Sequence, residues 1–334
     1  MPRRNAVVIV ADDLQFPPAA LLAARLQQLN PRPDTDIILA SDVPAMLADA
    51  KATVPGVGLL DLSEIAKRER LPTRSYFTRA TYLRLFLAGL LRRTYGRILY
   101  LDADIYAESA GVFRLFDLDM AGHAIAAVRD LTVPFFLNRH NLAELEATLK
   151  ASGQAPTGEK YLNAGVLLID ADDFAARRIE RKTMAILKRM EVAPQLADQS
   201  LLNTVLAGDW LELSPSFNMI TRAWQSSIRA FAPPVIVHFT GQVKPWRWGF
   251  ALDHPVRAEL LAFVKQSPWP DFIRRANPLP IGQGASLPQR EPDRPIWFGP
   301  SLEALLRHLR ETPFTDVAQG LTVLHPEALQ TPPA

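Results

Sequence analysis

The chain has 334 residues, of which 48% are hydrophobic and 22% are charged, and its formal net charge is +2. This composition is typical of a globular protein, and so small a net charge gives no electrostatic case for nucleic acid as a partner. The chain contains no cysteine, which excludes disulfides, thiolate metal sites and cysteine nucleophiles.

Alternating strands and helices predict an α/β domain with a mostly parallel, doubly wound central sheet. Short, β-rich and continuously apolar runs predict buried strands at 6–11, 36–40, 57–62, 97–101, 124–128, 163–169 and 234–239. Helical spacing and composition predict helices at 17–29, 78–91, 141–150, 173–190 and 198–207. We therefore expect one domain over residues 1–267.

Residues 268–334 differ in composition, since they contain 12 of the 28 prolines. Such a segment cannot form a continuous sheet, so we expect a Pro-rich C-terminal extension. Ser301 is expected to cap a short helix with one apolar stripe, formed by Leu302, Leu305, Leu306 and Leu309. We expect this stripe to pack on the domain, with docking to a membrane or a partner as the alternative.

Two carboxylates follow the buried strand 97–101 within the tetrad Leu101-Asp102-Ala103-Asp104. On an extended strand Asp102 and Asp104 point the same way, and open α/β sheets bind ligands beyond the carboxyl ends of their strands. Two such close like charges need a cation or strong donors beside them, and Mn²⁺ or Mg²⁺ accepts carboxylate and phosphate oxygens. The alternative is a pair of turn or helix-capping aspartates.

A second group of polar residues accompanies the strand 234–239. His238 taken alone is most simply a hydrogen-bonded core residue, although Mn²⁺ also accepts imidazole. Gly241 permits close approach of the backbone to a phosphate, and Lys244 supplies a mobile charge. The candidate metal ligand His238, the Gly241 amide and Lys244 thus lie within seven residues of one another. This arrangement is suited to stabilising a departing diphosphate.

Six motifs occur in order between Val7 and Trp246. They are Ile9-Val10-Ala11-Asp12-Asp13, Ala80-Thr81-Tyr82-Leu83-Arg84-Leu85, Leu99-Tyr100-Leu101-Asp102-Ala103-Asp104, Tyr161-Leu162-Asn163-Ala164-Gly165-Val166-Leu167-Leu168, Asp198-Gln199-Ser200, and His238-Phe239-Thr240-Gly241 with Lys244-Pro245-Trp246. Together they resemble glycosyltransferase family 8, the retaining enzymes that include bacterial lipopolysaccharide galactosyl- and glucosyltransferases and glycogenin. The resemblance implies a single nucleotide-sugar-binding domain of the GT-A type.

The resemblance also implies a role for each matching residue. The implied metal ligands are Asp102, Asp104 and His238, which would hold Mn²⁺ or Mg²⁺ together with the diphosphate. The implied substrate-binding residues are Ala11, Asp12, Arg84, Ala103, Asn163, Ala164, Gly241 and Lys244, with Asp12 accepting from the uracil NH. The implied catalytic residues are Gln199, Asp198 and Lys244. Because the amide of Gln199 is a poor nucleophile, front-face attack assisted by the leaving phosphate is favoured.

Simpler structural roles exist for three of these residues. Asn163 would cap a turn, Arg84 would pair with a surface carboxylate, and Asp198 would cap the helix 198–207. The six ordered motifs favour the functional interpretation.

The match departs from the family pattern after Asp12-Asp13. The family commonly has Asn-Tyr there, with the aromatic ring against the base, whereas this chain has Leu14-Gln15-Phe16. Either Phe16 takes over the stacking, or base recognition is looser. Residues 130–160, between the sheet and the strand at Asn163, are expected to form a flap that faces the acceptor.

We therefore predict a retaining, metal-dependent transferase that moves glucose or galactose from a UDP-hexose to a saccharide or glycolipid acceptor in bacterial cell-surface glycan synthesis. No stretch reaches the roughly 18 apolar residues of a membrane span, so we expect a cytoplasmic protein, with peripheral association to the inner membrane as a further expectation.

Two other classes of protein remain open as alternatives. One is a phosphatase of the haloacid dehalogenase type with Asp102 as nucleophile, which Ile105-Tyr106 and the long preceding segment fit poorly. The other is a non-catalytic binder of nucleotide-sugars.

Overall fold

A computed structural model describes residues 3–69, 71–72, 78–130, 161–189, 197–225, 229, 232–241, 244–250 and 252–277. The predicted helix 141–150, the flap beyond Asp130 and the helix at Ser301 lie outside the described residues. None of the helices in the described ranges combines the length and the apolar character needed to cross a membrane.

Ten strands form a large and a small sheet within the described residues. They are β1 (Arg4–Val10), β2 (Thr35–Ser41), β3 (Gly58–Asp61), β4 (Tyr95–Leu101), β5 (Ile105–Ala107), β6 (Ile125–Arg129), β7 (Leu162–Asp170), β8 (Leu211–Leu213), β9 (Met219–Ile220) and β10 (Ile236–His238). The large sheet has the order β3-β2-β1-β4-β7-β6-β8, and the small one the order β5-β10-β9. In the large sheet only β7 runs antiparallel to its neighbours, β4 and β6, so the prediction of a mostly parallel sheet is confirmed.

The helices of the described residues pack on both faces of the large sheet and beside the small sheet. They are α1 (Phe16–Gln28), α2 (Pro44–Thr53), α3 (Ser63–Glu69), α4 (Ala80–Leu83), α5 (Leu87–Leu91), α6 (Ala171–Ala176), α7 (Ile179–Leu187), α8 (Ala197–Leu206), α9 (Thr221–Trp224), α10 (Val256–Lys265) and α11 (Phe272–Ala276). Segments of 3₁₀ helix lie at Arg84–Phe86, Ala110–Asp117 and Pro215–Phe217. The predicted helices 17–29 and 198–207 are confirmed as α1 and α8.

Two predicted helices are wrong as single elements. The helix 173–190 is broken at Arg178, whose φ of 55° is left-handed, and this break separates α6 from α7. The helix 78–91 is interrupted by the 3₁₀ turn at Arg84–Phe86. In this tighter turn the Arg84 guanidinium faces inward, and its Nε donates to the Thr81 carbonyl at 2.9 Å.

Alternate residues of β1 supply the two cores on either side of the sheet. Val7 and Ile9 pack with α1 on one face, whereas Val8 and Val10 face the side of α4 and α5. The α1 side also buries Trp269 and Phe272, so the first residues after position 267 pack on the core. The proposed boundary at 267 stays a prediction.

Candidate active site

The paired aspartates and His238 come together through strand pairing. β4 ends at Leu101, and the Asp102 amide donates to the Gly165 carbonyl at 2.9 Å. Directly after Asp104, β5 pairs antiparallel with β10, which places Ile105 opposite His238. The small sheet therefore joins two motifs that are far apart in the sequence, at the carboxyl end of β4.

The three predicted metal ligands converge on one point. His238 Nε2 lies 3.2 Å from Asp104 Oδ1 and 3.7 Å from Asp102 Oδ2. One ligand atom from each residue lies within 4.8 Å of the others. Two carboxylates and an imidazole form a donor set that a divalent cation such as Mn²⁺ accepts, so these residues fit the predicted metal site.

Lys244 neutralises the more buried of the two carboxylates. Its Nζ donates to Asp104 Oδ2 and, at 2.7 Å, to the Phe239 carbonyl. Burial acts to raise the pKa of Asp104, but the Lys244 ammonium and His238 hold that pKa well below its usual range. Gly241, three residues after His238, has a left-handed φ of 72°, a conformation that favours glycine.

Arg84 is buried in the same site and does not pair with a surface carboxylate. Nη2 lies 3.1 Å from Asp102 Oδ1, and Nε lies 2.9 Å from Asp198 Oδ2. The guanidinium also stacks over the Tyr100 ring, 4.3 Å from its centre, while the Tyr100 hydroxyl donates to Asp102 Oδ1 at 2.5 Å. We call Arg84, Asp102, Asp104 and Lys244 the charged cluster.

Asp198 lies in the first turn of α8 and is almost fully buried. Burial raises its pKa to about 7, in spite of the opposing charge of Arg84. This side chain therefore takes up a proton more readily than an exposed aspartate.

A series of buried and partly buried hydrogen bonds leads away from His238 toward α8. His238 Nδ1 lies 2.9 Å from Asn218 Oδ1, and Asn218 Nδ2 donates to Asn163 Oδ1 at 2.9 Å. Asp130 Oδ2 then accepts from Asn163 Nδ2 at 3.0 Å and from Gln199 Nε2 at 2.9 Å. We call Asp130, Asn163, Gln199 and Asn218 the amide network.

The far end of the amide network holds Gln199 in place. Its Oε1 accepts the backbone N–H of Ala164 at 3.0 Å, and Ala164 O accepts Nη1 of Arg84 at 2.5 Å. The structure thus brings Gln199, Asn163 and Ala164 to the same edge as the metal ligands.

Gly165 approaches the metal ligands so closely that a side chain cannot be accommodated. A Cβ atom added there would lie 2.2 Å from His238 Cε1 and 3.0 Å from Asp102 Oδ2. Gly165 belongs to one of the six motifs, but the sequence assigns it no role, since a close approach across strands leaves no local signal.

The predicted nucleoside end of the site lies at the carboxyl end of β1. Asp12 Oδ1 accepts the backbone N–H groups of Leu14 at 3.0 Å and Gln15 at 2.8 Å, which supports the turn into α1. Phe16 is fully buried with its ring edge-on to Trp269, 5.6 Å away. The idea that Phe16 stacks on a base is therefore wrong, because its ring belongs to the core.

The predicted small residues also lie at this edge of the sheet. Ala11 follows β1 and donates its N–H to the Ala40 carbonyl at 3.0 Å. Ala103 lies between the two aspartates, and both alanines are buried.

Comparisons with known proteins give a consistent result. A family model described as glycosyl transferase family 8 matches residues 40–248. The lipopolysaccharide 1,3-galactosyltransferase of Salmonella typhimurium is 32% identical over 234 residues, which cover 67% of this chain and 64% of that protein. The lipopolysaccharide 1,2-glucosyltransferase of Escherichia coli is 28% identical over 215 residues, 61% of this chain and 60% of that protein.

The general stress protein A of Bacillus subtilis is 28% identical over 212 residues, 58% of this chain and 68% of that protein. This chain thus matches between 60% and 68% of the lengths of these three curated relatives.

Solved structures share the fold. The galactosyltransferase LgtC, in a complex with donor and acceptor sugar analogs, superposes with a TM-score of 0.60 at 20% identity, over 79% of this chain and 96% of that chain. The bifunctional glycosyltransferase WbbM superposes with a TM-score of 0.63 at 18% identity, over 83% of this chain and 52% of that chain. The predicted GT-A fold is confirmed.

Proposed function

The chain belongs to glycosyltransferase family 8, and from this we propose that it transfers a hexosyl group, with retention, from a UDP-sugar to a saccharide acceptor. The observation that carries the proposal is the convergence of Asp102, Asp104 and His238 on one point. The names of the relatives from Salmonella typhimurium and Escherichia coli suggest glucose or galactose as the sugar and a lipopolysaccharide-type glycan as the acceptor.

The charged cluster suits the departure of a diphosphate. A divalent cation held by Asp102, Asp104 and His238 would act as a Lewis acid on the leaving diphosphate. Lys244 sits on Asp104 in this structure, and its flexible stem allows the ammonium to move to a phosphate oxygen when a ligand arrives. A Cβ atom added at Gly241 would meet no atom of the described residues within 4 Å, so the backbone there is open to the approach of a ligand.

The amide network suits the sugar side of the reaction. Gln199 is fixed by Asp130 and by the Ala164 N–H, so its neutral amide is held ready to stabilise a cationic sugar. We propose front-face attack, in which the acceptor hydroxyl forms its bond to the anomeric carbon as the bond to phosphate breaks. The leaving phosphate oxygen takes the hydroxyl proton. Arg84 and Asp198 would contact the donor sugar or brace its neighbours.

The nucleoside contact is proposed at Asp12, which would accept a hydrogen bond from the uracil ring. Phe16 lies in the core, so we propose that the base is recognised without stacking on this residue, and therefore more loosely. A glycolipid acceptor would bring the protein to the membrane surface as a peripheral protein.

The charged cluster gives less support to a phosphatase with Asp102 as nucleophile. Asp102 Oδ1 is already engaged by the Tyr100 hydroxyl and by Arg84. The match over residues 40–248 also favours glycosyl transfer.

A donor screen tests the proposal. The purified protein is incubated with UDP-glucose, UDP-galactose and other UDP-sugars, with and without Mn²⁺, and UDP release is measured. We expect slow release that depends on Mn²⁺ with at least one hexose donor. Hydrolysis of p-nitrophenyl phosphate without turnover of any UDP-sugar would instead support the phosphatase, and binding without hydrolysis or transfer would support a non-catalytic binder.

A further inference from the structure

The orientation of Asn163 in the amide network is set by a backbone group. Gly165 N–H lies 3.0 Å from one terminal atom of the Asn163 side chain, and a backbone N–H can only donate. That atom must therefore be Oδ1, which turns Nδ2 toward the carboxylate of Asp130 at 3.0 Å. Both ends of this amide are satisfied in only one orientation.

The orientation of Asn218 follows from that of Asn163. Asn163 Oδ1 also lies 2.9 Å from the Asn218 side chain, so the Asn218 atom facing it must be the donor Nδ2. Asn218 Oδ1 is then turned to His238 Nδ1 at 2.9 Å, and an amide oxygen can only accept. The hydrogen of this bond must be carried by His238 Nδ1.

Asn218 is held in place by its backbone and by burial. It follows the 3₁₀ turn Pro215–Phe217, and its N–H donates to the Pro215 carbonyl at 3.1 Å. Directly after it, β9 pairs with β10 through Met219 and Val237. The side chain is 1% exposed, so water does not compete for its amide.

A competing arrangement exists on the other side of the imidazole. His238 Nε2 lies 3.2 Å from Asp104 Oδ1, a carboxylate oxygen that would accept a hydrogen from Nε2. An imidazole with its hydrogen on Nε2 would have no lone pair to offer a cation at this point. The bond to Asn218 opposes this tautomer.

We propose that Asn218 is a positioning residue that holds the His238 imidazole in its Nδ1–H tautomer and leaves Nε2 as a free ligand atom between Asp102 and Asp104. The inference rests on the proposed function in one respect, which is the chemical role of the bound cation. Histidine ligands of metals commonly donate their second N–H to a neighbouring acceptor, which fixes the ring and its tautomer. Here the acceptor is an amide whose direction is determined by the backbone at Gly165.

The tautomer is measured by ¹⁵N NMR of the imidazole in the metal-free protein, at a pH where the ring is neutral, and the affinity is measured with Mn²⁺ alone. In the wild-type protein we expect hydrogen on Nδ1 and none on Nε2. Asn218→Leu removes the acceptor, so we expect hydrogen on Nε2 and an affinity for Mn²⁺ lower by about 10- to 100-fold. Asn218→Asp keeps an oxygen facing Nδ1 but loses the donor to Asn163 Oδ1, so we expect the wild-type tautomer and an affinity between those of the wild-type protein and Asn218→Leu.

Asn203→Leu serves as the matched control. Asn203 is also a buried amide, but it bonds to the backbone of Leu162 and Gln199 and not to His238, so we expect the wild-type tautomer and affinity.

The inference is overturned if wild-type His238 carries its hydrogen on Nε2, or if Asn218→Leu retains both the wild-type tautomer and the affinity for Mn²⁺. If Asn218→Leu does not fold, the tautomer of the wild-type protein and the tautomer and Mn²⁺ affinity of Asn218→Asp still test the inference. A wild-type protein with the expected tautomer and Mn²⁺ affinity that turns over no UDP-sugar would refute the proposed function and support this inference.

Discussion

The charged cluster and the amide network meet at His238 but are stabilised in different ways. In the charged cluster each ion is paired with an ion of opposite sign, as Lys244 is with Asp104, and such partners can be exchanged for a cation or a phosphate. In the amide network the bonds are buried or partly buried, and donor and acceptor are matched at every step. The first region is therefore built to rearrange around a ligand, and the second to keep its geometry.

The largest effect is expected from Asp104→Ala in the charged cluster. The substitution removes a metal ligand and the partner of Lys244, so we expect Mn²⁺-dependent UDP release to fall by at least about 100-fold. The far-ultraviolet circular dichroism spectrum should not change. Asp271→Ala, an exposed aspartate paired with Arg274, is the control and should keep full activity. Normal metal-dependent turnover of Asp104→Ala would refute the metal site.

Gly165→Ala tests the contact between the two regions. The added methyl group would overlap His238 Cε1, so the imidazole must move away from the carboxylates. We expect the affinity for Mn²⁺ to fall by about 10- to 100-fold. Gly96→Ala in β4 is the matched control, since a Cβ there meets Arg3 only at an ordinary 3.7 Å. Equal Mn²⁺ affinity of the two variants would show that the site tolerates the displacement.

Arg84→Met tests how strongly the free energy of unfolding depends on the buried ion pairs of Arg84. Removing the guanidinium leaves Asp102 and Asp198 without their buried counter-charge, so we expect the free energy of unfolding to fall by about 3–5 kcal/mol. Urea denaturation measures this change. Arg274→Met removes an exposed pair and should cost about 0–1 kcal/mol. Similar losses in both variants would mean that burial of Arg84 has no energetic consequence.

Asp198→Asn should give the smallest change, in the pH dependence of stability. Asp198 has a pKa of about 7 in the fold and about 3.9 when unfolded, so between these values the native state binds more protons. The contribution of Asp198 to the free energy of unfolding is therefore fully present below its pKa in the unfolded chain. It is lost as the pH rises through its pKa of about 7 in the fold. The slope is no more than about 1.4 kcal/mol per pH unit.

Urea denaturation of the metal-free protein across this pH range measures the slope. The asparagine variant, which cannot lose a proton, should give a flatter curve than the wild-type protein. Identical slopes in the two proteins would contradict the raised pKa of Asp198.

The sequence predicted the charged cluster better than the amide network. Paired aspartates after an apolar strand leave a clear local pattern, and Asp102, Asp104 and His238 lie together as predicted. Asn218 lies alone after a short 3₁₀ turn, and Asp130 was treated only as the start of a flap. Their importance arises from strand pairing, because β9 pairs with β10 beside His238, and β6 pairs with β7, which brings Asp130 to Asn163.

The same limit applies to the fold, because contacts between distant segments leave no local pattern in the sequence. Continuous apolar runs predicted β4 and β7 as buried strands, but such runs are the same for parallel and antiparallel neighbours, so the reversed direction of β7 was not foreseeable. The break at Arg178 has no glycine or proline to signal it, and sequence patterns do not predict an arginine in the left-handed region. The burial of Phe16 against Trp269 likewise depends on a distant segment.

The most direct test of the account is anomalous diffraction from crystals of the wild-type protein grown with Mn²⁺ and UDP. We expect one strong Mn²⁺ peak coordinated by Asp102, Asp104 and Nε2 of His238, with Lys244 moved from Asp104 to a phosphate oxygen. A Mn²⁺ ion bound elsewhere, or a UDP diphosphate that lies away from these three side chains, would contradict the central claim.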